Sequence, residues 1–303
     1  MSDPRISVVI PTLNRPDALP RTLEALARQT VDPDAFEVVV VADVKNERLP
    51  DAFPERLRLR TLEGERPGAS SARNVGWRAA AAPLVLFLGD DIIGVPQLVA
   101  EHLEWHAHNP EDEVGVLGHV RWARELKRDA FMAWLDRGIQ FDYPTIRGIE
   151  AGPGHFYTAN VSLKRTMLER VDGFDEERFP FGYEDIDLGL RLFGQGFRLL
   201  YDAAADAEHL HKPELEHWKR RMGFIGPAER RWIERYPDEK PYFHSLFSEA
   251  LRCPPLNGRR GRLLMRWVPK EFPLIGRSVW ENGDLWFRQQ LAPAFMEAWE
   301  RGE

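Results

Sequence analysis

The sequence predicts an α/β protein: a mostly parallel central sheet flanked by helices, with a helical appendage toward the C-terminal end. Three observations carry that expectation. Short, β-branched apolar runs alternate with helix-periodic segments through the first half of the chain. The second of these runs is almost wholly apolar, as strands covered on both faces are. Polar or turn-forming residues follow the strands directly, at the end where such sheets bind ligands.

Taken in order, Ile6–Ile10 is a buried strand that Pro11 ends. Residues 16–29 follow as a helix, with Pro16 near the start and Leu19, Leu23 and Leu26 on one face. Phe36–Val41 is the next strand, and the alternation over Leu57–Leu62 suggests a third. Ser70–Ala82 is alanine-rich and helical, Leu84–Leu88 is a fourth strand, and Pro96–His108 is a further helix. The residues after the strands are Pro11–Arg15, Ala42-Asp43 and Gly89-Asp90-Asp91. No GxGxxG follows the first strand and no GxxxxGK[ST] occurs, which disfavours the common dinucleotide and P-loop sites.

Composition narrows the class. The 303 residues suffice for one large domain, or one domain with an appendage. Lys plus Arg is 41 against 48 for Asp plus Glu, a net charge of −7, which argues against a nucleic-acid partner. The single cysteine, Cys253, excludes an intrachain disulfide framework and fits a reducing, cytoplasmic setting. The N-terminal residues lack a signal-peptide core. The longest apolar run, Ala79–Leu88, contains Pro83 and falls well short of the roughly 20 residues a spanning helix needs.

The charge is unevenly spread. Residues 1–214 hold 25 basic and 36 acidic residues; residues 215–303 hold 16 and 12, along with six of the ten tryptophans. A boundary near residue 213 follows. Residues 251–270 carry six basic residues and no acid, with Leu263, Leu264, Met265 and Trp267 beside Arg259, Arg260, Arg262 and Arg266. That pattern suits peripheral contact with an anionic membrane surface. The plainer reading is a helical appendage that packs its tryptophans on the rest of the protein.

Chemistry concentrates in two places. Asp90 and Asp91 leave a buried strand together, and side chains alternate there, so the two face different ways. Their hard oxygens suit Mg²⁺ or Mn²⁺; an acidic turn capping the next helix is the alternative. Farther on, the turn-rich Gly152–Asn160 leads through a helix at Lys164–Arg170 to Glu184, Asp185 and Asp187, at the opening of another helix. The helix dipole favours acids there, and a carboxylate so placed beside a cleft is also a general base. His209 and His211 share one side of an extended segment. His102 and His106 have helical metal spacing but lack the HExxH order, so a solvated or acceptor-facing side is expected. Trp122 and His155 either line an acceptor pocket or simply pack.

Taken together, these segments resemble family 2 glycosyltransferases of the GT-A fold, from Ile6 to about His211. The resemblance rests on the opening Ser7–Arg15, on Glu37–Asp43, and on Pro67–Gly76 followed by Leu84–Ile92. It continues through Asn160–Arg165, Gly173–Glu176 and Gly182–Arg191. It implies an inverting, metal-dependent transfer of a sugar from a nucleotide-diphosphate donor to a hydroxyl of a glycan, lipid-linked or small-molecule acceptor. It also implies residues 1–95 as the nucleotide side, 96–213 as the acceptor side and 214–303 as an extension.

By the same resemblance, Pro11, Thr12 and Arg15 would line the nucleotide pocket. Asp43 would approach the base or ribose, and Arg73 the nucleotide or donor. Asp91 would bind Mn²⁺ or Mg²⁺ on the diphosphate, Asp90 would touch metal or sugar, and His209 would be a further metal ligand. Asp185 would be the catalytic base, with Glu184 beside it. Two departures stand out, since the family often has aspartate where Ala42 and Gly89 stand. The joint presence of Asp91, Glu184, Asp185 and His209 argues against an idle scaffold or sugar-nucleotide-binding protein on the same fold.

Overall fold

Ile6–Thr12 (β1) and Phe36–Ala42 (β2) form strands because nearly every side chain along them is apolar and buried. The computed structural model describes residues 3–43, 49, 53–256 and 276–302. Between β1 and β2, Leu19–Ala27 (α1) buries Leu19, Leu23 and Leu26, the expected stripe. Leu59–Glu63 (β3), Ala69–Ala79 (α2), Leu84–Leu88 (β4), Ile92–Gly94 (β5) and Leu98–His108 (α3) follow. Val114–Trp122 (β6), Ala130–Leu135 (α4), Glu150–Ala151 (β7), Asn160–Lys164 (β8) and Arg165–Val171 (α5) come next. Glu184–Phe193 (α6), Arg198–His209 (β9), Leu215–Arg235 (α7), Tyr242–Arg252 (α8) and Gly276–Arg301 (α9) complete the order.

The strands join in the order β3-β2-β1-β4-β8-β6-β9-β5, with β7 paired to β9. The part through β4 is parallel, as the strand–helix alternation predicts. Beyond it the sheet is mixed: β8 is antiparallel to β4 and β6, β9 runs parallel to β6, and β5 is antiparallel to β9. One arrangement differs from expectation. His102 and His106 are not on a solvated face; they are 0% and 5% exposed and bond to Asn160 and Ser162 of β8. Burial lowers both rings, to about 4 and about 2, so they are neutral core groups.

The chain forms two compact units. The first comprises residues Met1–Leu126, Tyr143–Pro180 and Glu184–His211 and holds the sheet. The second comprises Lys127–Asp142, Phe181–Tyr183 and Lys212–Glu303. It therefore draws in two short segments that precede residue 213. Its described core is aromatic. Phe131 packs against Trp134, Trp218 and Phe287, and Phe247 against Phe243 and Phe295. Glu229, 0% exposed, accepts hydrogen bonds from the backbone of Phe243 and His244 at the start of α8, and from the Tyr183 hydroxyl. A cavity of about 380 Å³ opens within this unit beside Phe131, Lys212, Trp286 and Phe287. Of the basic stretch 251–270, residues 257–270 lie outside the described residues. Among those described, no helix is long and apolar enough to cross a membrane.

Candidate functional site

The ends of β1, β2 and β4 meet through Thr12. Its carbonyl accepts the Asp43 N–H at 2.8 Å, and its hydroxyl donates to Asp90 Oδ2 at 2.8 Å. Thr22, on α1, donates to the Asp90 carbonyl at 2.9 Å. Asp90 is thus turned inward. Burial, reinforced by the neighbouring Asp91 charge and only partly offset by Thr12, pushes its carboxyl up to about 6. Pro11 pairs with Val41 within the sheet.

Asp91 turns the other way. Its Oδ2 lies 3.3 Å from His209 Nε2 and 3.8 Å from Arg15 Nη2. Burial alone raises such a carboxyl, but the His209 hydrogen bond and the His209, Arg15 and His211 charges outweigh it, so Asp91 sits below the usual range. The backbone secures the same contact, since the Leu210 N–H donates to the Asp91 carbonyl at 2.9 Å. Trp122 stacks on the His209 ring, with centroids 5.3 Å apart and planes 14° off parallel. Arg15 Nη1 is also 3.0 Å from His211 Nδ1.

A second group gathers at the opening of α6. The Thr158 backbone N–H donates to Asp185 Oδ2 at 3.2 Å, and its hydroxyl lies 2.9 and 3.0 Å from the two carboxylate oxygens. Arg73, on α2, reaches Glu184 at 3.1 Å and Asp185 at 3.7 Å, with its guanidinium 5.5 Å from the Phe174 ring centre. Desolvation lifts Asp185 to about 6; Arg73 opposes that rise and the Glu184 charge adds to it. Its side chain nonetheless stays 27% exposed, against 10% for Glu184.

Asp43 links the two groups. It accepts the Gly68 N–H at 2.6 Å, and Arg73 is close enough to stabilise its charge. Burial outweighs both effects and raises its carboxyl. Gly68 begins α2 with φ near 123°, a conformation glycine adopts without strain.

The structure therefore gathers Thr12, Arg15, Asp43, Asp90, Asp91 and His209 at the strand ends, and Arg73, Glu184 and Asp185 around α6. His155 stands apart, bonded to Thr145 and the Gly152 backbone. Thr158 and Thr22 contribute to the site without a motif to mark them, and nothing in the sequence shows that Trp122 covers His209. Thr158 sits inside the Gly152–Asn160 turn region, and that turn-rich composition was its one signal.

Two donors, the Asp91 carboxylate and the His209 imidazole, converge on one spot. Among the described residues no group of three or more His, Cys, Asp or Glu does so. A carboxylate–imidazole pair is a donor set that would still suit a divalent ion. Its nitrogen donor favours a transition ion such as Mn²⁺ over Mg²⁺.

The chain is 35% identical over 228 residues to a validoxylamine A glucosyltransferase of Streptomyces hygroscopicus subsp. limoneus, covering 64% of this chain and 49% of that one. It is 30% identical over 271 residues to the O-antigen biosynthesis protein RfbC of Myxococcus xanthus, covering 80% of this chain and 20% of that one. The chain thus spans about half, or less, of the length of these curated relatives. In fold it is similar to S. aureus TarS 1-349 in complex with UDP-GlcNAc, with TM-score 0.54 and 14% identity over 99% of this chain and 92% of that one. It is likewise similar to a Pyrobaculum calidifontis mannosyltransferase in complex with GDP-Man and Mn²⁺, with TM-score 0.54 and 19% identity over 100% and 77%. The model of glycosyl transferase family 2 matches residues 7–170, more than half of the chain. With the GT-A architecture and these matches in hand, the chain belongs to glycosyl transferase family 2.

Proposed function

We propose that this protein transfers a sugar from a nucleotide-diphosphate donor to an acceptor hydroxyl, with inversion at the anomeric carbon. Asp185 carries the reading: it is oriented by Thr158, lifted to about 6, and still partly open to solvent. A base of that pKa is ionised at neutral pH yet retains proton affinity. In this reading Asp185 takes the acceptor proton as the acceptor oxygen bonds to the anomeric carbon. The bond from that carbon to the diphosphate breaks on the opposite face, which inverts the centre.

Arg73 holds Glu184 and steadies the Asp185 anion, while Thr12, Arg15 and Asp43 cradle the nucleotide. Asp91 and His209 would hold Mn²⁺, which neutralises charge growing on the departing diphosphate. Asp90, turned inward, braces the loop that presents Asp91. Similarity to a validoxylamine A glucosyltransferase makes validoxylamine A one acceptor to try.

The test is a panel of UDP-, GDP- and dTDP-sugars with Mn²⁺, read as nucleoside diphosphate release with and without candidate acceptors that include validoxylamine A. One donor should give acceptor-stimulated release that Asp185→Asn abolishes. If every pair is silent while the nucleotides still bind, the protein is an idle sugar-nucleotide binder instead.

A further inference from the structure

β9 does not pair with β6 in one register. Gly118 lies opposite Asp202, but the next residue, His119, lies opposite Asp206. Ala203, Ala204 and Ala205 are extra residues, a three-residue bulge in a strand flanked by β6 and β5; Ala203 and Ala204 are exposed and Ala205 is buried. Beyond the bulge, Trp122 pairs with His209, and Ile92 pairs with His209 from the other side. Had β9 continued without it, Asp206 would stand at the level of Trp122. The offset is an odd number of residues, so it also exchanges the two faces of the strand. The bulge therefore decides that an imidazole meets Asp91.

Side chains hold the bulge. Asp202 accepts from the Ala204 and Ala205 N–H groups at 2.9 and 3.2 Å. Asn160, fully buried, donates from Nδ2 to the Ala205 carbonyl at 2.8 Å and to the His119 carbonyl at 3.3 Å, one on each strand at the register break. Those two carbonyls, which can only accept, set its orientation, and the side chains behind it follow. The Asn160 Oδ1 accepts from His102 Nε2 at 2.9 Å, so His102 Nδ1 accepts from the Ser162 hydroxyl at 2.8 Å, and His106 Nε2 donates to Ser162 at 2.9 Å. Each donor has one acceptor, and a flipped Asn160 amide would turn its oxygen on both carbonyls. Gly118 leaves the room this needs, because a Cβ there would fall 2.1 Å from Asn160 Nδ2 and 2.5 Å from the Ala205 carbonyl.

We infer that Asn160 is a positioning residue: its carboxamide, satisfied from behind by the buried His106–Ser162–His102 chain, fixes the β9 bulge and so places His209 against Asp91 and Trp122. The functional consequence rests on the metal reading above; the placement itself does not.

Two measurements on the full-length chain separate these. The first is the ring-proton resonance of His209 without metal, assigned by its loss in His209→Ala. Stacking on Trp122 should displace it from the position of a free imidazole, and Asn160→Ala should return it most of the way. Asp202→Ala, which loosens the same bulge from the other side, should act in the same direction and decides the matter if Asn160→Ala does not fold. An unmoved His209 signal in the folded variants overturns the inference.

The second measurement is the gain in UDP and GDP affinity on adding Mn²⁺. It should fall about tenfold in Asn160→Ala, the scale of losing a group that orients a metal ligand, with metal-free nucleotide affinity unchanged. If His209→Ala loses the gain and a folded Asn160→Ala keeps it, the inference fails and the metal reading stands. If His209→Ala keeps it, the metal reading fails, and the resonance still judges the placement.

Discussion

The site contains two pairs of adjacent acids, Asp90-Asp91 after β4 and Glu184-Asp185 at the start of α6, and they are built alike. In each pair one carboxylate is held by a threonine, Thr12 or Thr158, and lifted to about 6. The other meets a basic side chain: Asp91 meets His209 and Arg15, and Glu184 meets Arg73. They differ in which member is open. In the α6 pair the lifted acid, Asp185, is 27% exposed. In the β4 pair the lifted acid, Asp90, is buried and has its oxygen turned to Thr12. A raised pKa alone thus does not mark a base. It has to coincide with access, and the same shift on an enclosed acid only braces a loop.

The largest expected effect breaks the comparison at its open member. Asp185→Asn should lower the transfer rate by about 10²–10⁴-fold, the range for loss of a general base, with nucleotide affinity nearly unchanged. Steady-state rates and calorimetry on one preparation check it. Next, Asp91→Ala should cut Mn²⁺-dependent nucleotide binding by about a hundredfold or more, since losing a ligand costs at least as much as losing a group that orients one.

The pH dependence sharpens the comparison further. Transfer should fall as pH drops through about 6, because the base must be ionised. Glu184→Gln removes a like charge and should move that limb to lower pH. Thr158→Val removes hydrogen bonding to the anion and should move it to higher pH. Equal shifts in one direction would rule out Asp185 as the group being titrated.

Asp90 yields an effect on stability. Its folded-state pKa is raised, so between about pH 4 and 6 the folded chain holds more protons than the unfolded chain, and stability declines as pH rises. Asp90→Asn still accepts from Thr12, so metal-free thermal unfolding should show it more stable than wild type at pH 7.5 and equal to it near pH 4. The smallest effect on activity belongs to Glu229, a buried acid outside both pairs. Glu229→Gln should destabilise by about 1–2 kcal/mol through the weakened start of α8, with transfer per folded molecule unchanged.

Periodicity made the first four strands and the helices between them legible, because apolar runs such as Phe36–Val41 carry their own signal. Glu184 and Asp185 could be found for the same reason: an amphipathic helix announces where its first turn lies. What stayed hidden depends on partners distant in sequence. Ala203–Ala205 suits an ordinary strand as well as a bulge, and only Asn160 and Asp202 distinguish the two. His102 and His106 look polar until Ser162 and Asn160 come to face them across the sheet. The antiparallel insertion of β8 beside β4 is a matter of crossover, which no local pattern encodes. Lys127–Asp142 likewise gives no sign in sequence that its Phe131 and Trp134 pack with Phe287.

The central claim is that the two acidic pairs divide the work, one serving the donor through a metal and the other serving the acceptor. Titration of UDP and GDP into Asp91→Ala and Asp185→Asn, each with and without Mn²⁺, tests it most directly. Asp185→Asn should keep the full Mn²⁺-dependent gain in affinity, and Asp91→Ala should lose it. The reverse pattern, or the same loss in both, would contradict the division.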